Sequence, residues 1–109
     1  MSDITAQEVH KLITDNQGND NFVILDVRAP QEFASGYIEG AINFNYIASN
    51  FKEEIEKLDR NKTYLVYCQS GRRSSAATKI MQELGFEDVY NMQGGFSQWQ
   101  AENLSVVKE

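Results

Sequence analysis

The chain has 109 residues, enough for one compact domain and too few for two. With 41% hydrophobic and 24% charged residues it has the balance of a folded globular protein, not of a disordered one. A formal net charge of -6 argues against nucleic acid as the main partner, the single cysteine excludes an internal disulfide or a Cys-x-x-Cys pair, and the single histidine excludes a multi-histidine metal site.

From Met1 to Thr5 there is neither the basic region nor the apolar segment of a secretory signal. No stretch reaches the roughly eighteen apolar residues of a membrane helix, so a cytoplasmic protein without membrane contact is expected. Thr5 followed by Glu8 reads as a capping box, and Val9, Leu12 and Ile13 give one apolar face to a helix over residues 6–14. Residues 15–21 are rich in Asn, Asp and Gly and read as a loop. Phe22 to Leu25 form a short continuous apolar run, the pattern of a strand buried on both faces. Pro30 suits the first turn of a short helix that carries Glu32 and Phe33 and stops at Gly36. A short strand is expected over residues 41–44, and the spacing of Phe51, Ile55 and Leu58 predicts a helix over 51–59.

Tyr64 to Tyr67 form a second apolar strand, with Cys68 at its end. Gln69, Ser70, Gly71, Arg72 and Arg73 follow as a loop. Ala76, Ala77, Ile80, Met81 and Leu84 then mark the apolar face of a helix that Gly85 ends. Val89 and Tyr90 are a weaker strand signal, and Gly94-Gly95 precede a last helix with Phe96 and Trp99. Strands alternating with helices imply an α/β fold, a small and mainly parallel sheet flanked by helices on both faces, with residues 1–109 as one domain.

Cys68 concentrates the chemical signals. In open parallel sheets, ligands bind beyond the carboxyl ends of the strands, which is where Cys68 falls. A short loop entering a helix can turn backbone N–H groups inward and adds the partial positive charge of the helix N-terminus. Between Arg60 and Lys79 there are five basic residues, Arg60, Lys62, Arg72, Arg73 and Lys79, and no acidic one. Such a run reads either as a solvated face or as a local positive field for an anion. A lone cysteine is often just a small buried hydrophobe. The strand end, the Gly-containing loop, the arginines and the following helix together favour a thiolate nucleophile, with the Cys68 thiol held below its ordinary value. A cysteine hydrolase needs a histidine base, and His10 falls beside the apolar face of the N-terminal helix, where a structural role is expected.

The stretch Cys68-Gln69-Ser70-Gly71-Arg72-Arg73-Ser74 after an apolar strand resembles the active-site loop of rhodanese-like sulfurtransferases. Leu25-Asp26-Val27-Arg28, with Glu32-Phe33 and Gly36 to Asn43, resembles the upstream signature of that family, and Gly94-Gly95-Phe96 with Trp99 the downstream one. The resemblance covers nearly the whole chain. Tyr37 stands where the family often has histidine, and Asn45 where it often has proline. The resemblance implies that Cys68 forms a persulfide and that Gln69, Ser70, Gly71, Arg72 and Arg73 cradle the transferred sulfur. Asp26 and Arg28 then read either as support behind the loop or as a structural ion pair at a strand end. Gly94 and Gly95 read as a tight turn, and Phe96 and Trp99 as core. The implied partners are a small anionic sulfur donor such as thiosulfate and a thiol or protein acceptor. No metal and no organic cofactor is required.

Three other functions remain to be separated from this one. A non-catalytic binding module of the same fold typically lacks the cysteine, whereas Cys68 and its loop are present. A persulfide carrier would work only with a protein partner. A cysteine phosphatase or arsenate reductase has a related loop, but the related phosphatases place five residues between cysteine and arginine. Here four, Gln69 to Arg72, precede Arg73, and Ser74 occupies the phosphatase arginine position.

Overall fold

Five strands form one parallel sheet in the computed structural model, which describes residues 2–108. Met1, where the N-terminal expectation begins, and Glu109 lie outside the described residues. The order along the chain is β1 (Ser2–Ile4), α1 (Ala6–Asp15), β2 (Phe22–Asp26), α2 (Pro30–Ser35), β3 (Ile42–Asn43), α3 (Phe51–Glu56), β4 (Thr63–Tyr67), α4 (Arg72–Glu83), β5 (Val89–Met92) and α5 (Gly95–Ala101). Across the sheet the order is β1-β5-β4-β2-β3, and every pairing is parallel.

The two faces of β4 divide the core. Side chains alternate along a strand. Tyr64 and Val66 pack with Leu25, Ile55, Ala77 and Met81 on the side of α3 and α4. Leu65 and Tyr67 pack with Val9, Phe96 and Trp99 on the side of α1 and α5. Cys68 continues the alternation and lies on the α4 side. The α/β fold with helices on both faces is as the sequence predicts.

Local signals held where their partners are close. Thr5 and Glu8 make the reciprocal capping box of α1, with Glu8 N–H donating to Thr5 Oγ1 at 3.1 Å and Thr5 N–H to Glu8 Oε1 at 2.9 Å. Three expectations need correction, and one strand was not foreseen. β1 gave no sequence signal; it pairs with β5, from Ser2 opposite Tyr90 to Ile4 opposite Met92. β3 is only two residues long, because it sits at the edge and pairs with β2 alone. The helix expected over 51–59 ends at Glu56. On α4, Ser74 and Thr78 are buried beside Ala77 and Met81, so this face is less apolar than the spacing of Ala76 and Ile80 implies. Among the described residues no helix is long and apolar enough to cross a membrane.

Candidate active site

The loop after β4 is built to hold one sulfur atom. Gly71 has φ 101, a left-handed conformation that glycine adopts without strain. This turns the chain back, so that Gly71 N–H donates to Cys68 Sγ at 3.1 Å. At the start of α4 the Ser74 N–H and the Ser74 hydroxyl both lie 3.4 Å from the same sulfur. The first N–H groups of a helix have no partner within it and are free for this use. Cys68 itself has no exposed surface. Burial pushes its thiol up, but the Ser74 hydroxyl and the N–H groups of Ser74, Ser70 and Gly71 outweigh burial and hold it below the ordinary value.

The arginines lie differently from the sequence expectation of a shared positive field. Arg72 is exposed. Arg73 donates to both carboxylate oxygens of Glu32 on α2, at 2.8 and 3.1 Å. That pairing is the main reason the Arg73 charge is favoured, with the nearby Cys68 sulfur a lesser one. Arg73 in turn holds the Glu32 carboxyl below its usual range. Arg60 is used at the far end of α4, where its Nε donates to Leu84 O at 2.6 Å and its guanidinium lies over Phe86. The basic run is therefore divided among separate tasks.

Asp26 and Arg28 are both an ion pair and a brace. Both are buried. Arg28 Nη2 and Nε donate to Asp26 Oδ2 at 2.7 and 3.0 Å. Arg28 Nη2 also donates to Gly36 O at 2.6 Å, and Nη1 to Gln69 Oε1 at 3.1 Å. The guanidinium lies 4.3 Å from the centre of the Phe96 ring. Gln69 passes the brace on, its Nε2 donating to Ser97 Oγ at 2.9 Å. Beside this side of the loop lies a cavity of about 190 Å³, lined by Arg28, Glu32, Gly36, Gln69, Phe96 and Gln100 among others.

Gly94 and Gly95 do more than turn the chain. A Cβ on Gly95 would stand 2.6 Å from the carbonyl oxygens of both Cys68 and Gln69. That close approach lets Phe96 N–H donate to Cys68 O at 2.8 Å and Ser97 N–H to Gln69 O at 3.0 Å. Phe96 and Trp99 are core residues, as expected. Tyr37 stacks on Phe33 with ring centres 4.1 Å apart, and Asn45 Oδ1 accepts from Ile47 N–H at 3.2 Å, so both departures from the family pattern serve local structure. His10, on α1, packs against Trp99 of α5, across the sheet from the sulfur.

Sequence reasoning singled out Cys68 to Arg73, Asp26 and Arg28. The structure gathers Cys68, Gly71 and Arg73 on the α4 side and Asp26, Arg28 and Gln69 on the α5 side. Ser70 contributes its backbone, and Arg72 faces solvent. Ser74 was not assigned a part in the cradle, although its place in the first turn of a helix next to the cysteine is a readable signal. Ser97 carries no such local signal, and Glu32, part of the upstream signature in the sequence, gave no sign of its pairing with Arg73. Among the described residues, no group of three or more His, Cys, Asp or Glu side chains is arranged to hold a metal ion.

A parallel α/β sheet with a cysteine at the carboxyl end of its central strand, its sulfur held by the N–H groups of a loop that becomes a helix, defines the class of α/β proteins with a cysteine-centred loop. Within that class the chain belongs to the rhodanese-like domain family, whose model matches residues 5–102. It is 38% identical to the thiosulfate sulfurtransferase GlpE of Shewanella oneidensis, over 73% of this chain and 77% of that protein. It is 32% identical to the uncharacterized protein YqhL of Bacillus subtilis, over 88% of this chain and 77% of that protein. A crystal structure of a rhodanese-related protein from Thermoplasma volcanium, 33% identical, superposes with a TM-score of 0.84 over the whole of both chains.

Proposed function

We propose that residues 1–109 act as one rhodanese-like domain that transfers sulfane sulfur through a persulfide on Cys68. The observation that carries this is the bonding of the sulfur: Gly71 N–H, Ser74 N–H and the Ser74 hydroxyl all converge on Cys68 Sγ. Such donors stabilise a thiolate and, equally, a persulfide anion. Kinship with a relative named as a thiosulfate sulfurtransferase supports the same reading.

In the first step the Cys68 thiolate attacks the outer sulfur of thiosulfate. The sulfur–sulfur bond of the donor breaks and sulfite leaves with its electron pair. In the second, an acceptor thiolate attacks the outer sulfur of the persulfide, takes it, and returns Cys68 as thiolate. The chain's one cysteine leaves no internal thiol to discharge the persulfide, so the acceptor is another molecule, a small thiol or a protein. No metal or organic cofactor enters either step. A free thiol in this role fits the reducing cytoplasm.

The test is intact mass spectrometry after incubation with thiosulfate. The wild type should gain one sulfur atom that cyanide or a small thiol removes, and Cys68→Ser should gain none. A cyanide-labile sulfur on the Ser variant would remove Cys68 from the mechanism. Cys68-dependent turnover of an aryl phosphate faster than of thiosulfate would replace sulfur transfer with phosphatase chemistry.

A further inference from the structure

Behind the sulfur lies a buried polar chain that sulfur transfer does not explain. The Ser74 hydroxyl touches two acceptors, Cys68 Sγ at 3.4 Å and Asn91 Oδ1 at 2.5 Å. Asn91 Nδ2 in turn donates to Asp3 Oδ1 at 3.1 Å. Asn91 and Asp3 are register partners on adjacent parallel strands, β5 and β1. Ser74 has no exposed surface and Asn91 only 4%.

A hydroxyl has a single proton to give. It cannot serve the sulfur and the amide oxygen together. The orientation of the amide is fixed by Asp3, because an ionised carboxylate only accepts and so takes the NH₂ end of Asn91. The carbonyl end is thereby aimed at Ser74. We propose that Asn91, held by Asp3, is a positioning residue that competes with the Cys68 sulfur for the one hydroxyl proton of Ser74.

The competition acts on the two states of the cysteine in opposite ways. While Cys68 is a thiol, the Ser74 hydroxyl donates to Asn91 Oδ1, and the buried amide oxygen keeps its donor. When Cys68 ionises, the proton turns to the sulfur and leaves a buried carbonyl oxygen without its donor, which carries a desolvation cost. Asn91 therefore restrains the thiolate that Gly71 and Ser74 favour. The fifth strand neighbour, β1, thus becomes part of the site through Asp3. The other charged groups around Cys68 are Arg73 on α4 with its partner Glu32 on α2, and Arg28 with Asp26, which reach the loop through Gln69. None of these changes in the variants below.

This inference rests on Cys68 as the reactive residue, but its readout does not depend on sulfur transfer. Thiolate absorbance against pH gives the midpoint for the wild type and for Asn91→Ala, Asp3→Asn and Ser74→Ala. Asn91→Ala frees the hydroxyl, so at a pH below the wild-type midpoint it should show about threefold more thiolate, the worth of one hydrogen bond. Ser74→Ala should show less thiolate than the wild type. Combined with Ser74→Ala, the Asn91 replacement should no longer raise the thiolate share, which a merely structural role would not predict. Asp3 is exposed, so Asp3→Asn tests the same point without hollowing the core. It lets the amide turn round and should raise the thiolate share more with Ser74 present than without it. An unchanged or raised midpoint in Asn91→Ala, or equal shifts with and without Ser74, overturns the proposal. Sulfur loading of the wild type, measured separately, reports on sulfur transfer alone: if thiosulfate loads nothing, that function fails while the titration still decides the role of Asn91.

Discussion

Helices α4 and α5 begin alike and serve opposite ends of the same loop. Each follows a glycine in the left-handed conformation, Gly71 with φ 101 and Gly94 with φ 78, and neither has a side-chain cap. At α5 the first N–H groups are taken by the carbonyls of Cys68 and Gln69. At α4 they converge on the Cys68 sulfur. Strand alternation past the end of β4 explains the split: the Cys68 side chain falls on the α4 side, while the Gln69 side chain turns to Arg28 and Ser97 on the α5 side. One helix start is used up in fixing the loop, and the other is left for the atom the loop holds. Damage on the α5 side should therefore cost stability first, and damage on the α4 side should cost rate first.

The largest effect is expected at Arg28. Arg28→Ala leaves Asp26 charged and buried without its partner, and it also strips a donor from Gly36 O and from Gln69. Breaking a buried pair in this way costs about 3–5 kcal/mol. Denaturant unfolding with an unchanged slope would measure it, and a loss below about 1 kcal/mol would remove Arg28 from the support of the loop. Gly95→Ala comes next. The new methyl would stand 2.6 Å from two carbonyl oxygens at a residue with φ 61, so the loop or α5 must shift. A cost of about 2–3 kcal/mol is expected. Gly18→Ala is the control, because Gly18 also has a positive φ, 77, but nothing within 4 Å of the added Cβ. Equal costs at the two positions would mean that backbone conformation alone, and not the close approach to the loop, makes Gly95 necessary.

The same comparison explains what could be read in the sequence. Features whose parts lie within one turn or one strand were legible: the Thr5–Glu8 capping box, the apolar runs of β2 and β4, Gly71 in the loop, and Cys68 at a strand end. Features made by distant partners were not. Ser2 to Ile4 have no strand signal of their own and become β1 only by pairing with residues near position 90. Arg73 looked like free charge for an anion, because its partner Glu32 is 41 residues away. Ser74 and Thr78 broke the expected apolar face of α4 because their hydroxyls find partners there, Asn91 and the sulfur for Ser74 and Ser75 O for Thr78. The cysteine and its glycine were visible; the more distant partners of the loop and of Ser74 and Arg73 lie on α2, β5 and α5.

The smallest expected effect, and the sharpest test of the α4 side, concerns Glu32. Its carboxylate faces Arg73 across 2.8 Å, so the pair presents little net charge to a donor approaching the sulfur. Glu32→Gln keeps an oxygen for Arg73 and for Ala29 N–H but removes the negative charge. A dianion such as thiosulfate should then load Cys68 faster relative to a monoanionic donor such as an alkyl thiosulfonate, which leaves the same persulfide as its sulfinate departs. The change in that ratio should be about two- to fivefold at low salt, because the pair is partly exposed and screened. Arg72→Ala, at an exposed position, should change the ratio less. The pH dependence follows from the direction of the Glu32 shift. Arg73 holds the carboxyl below its usual range, so the pair stays ionised as pH falls through the ordinary carboxylate region. A depressed folded value means that the contribution of the pair is present above the unfolded value and is lost only as pH falls through the folded one. The wild-type donor ratio should accordingly stay flat from neutral pH down into the ordinary carboxylate range, and move toward the Glu32→Gln ratio below it. Ionisation of Cys68 changes both donors' rates together and cancels in the ratio. A ratio that Glu32→Gln leaves unchanged, or one that drifts near neutral pH in the wild type, would mean that Arg73 contributes to the fold of the loop and not to the choice of donor.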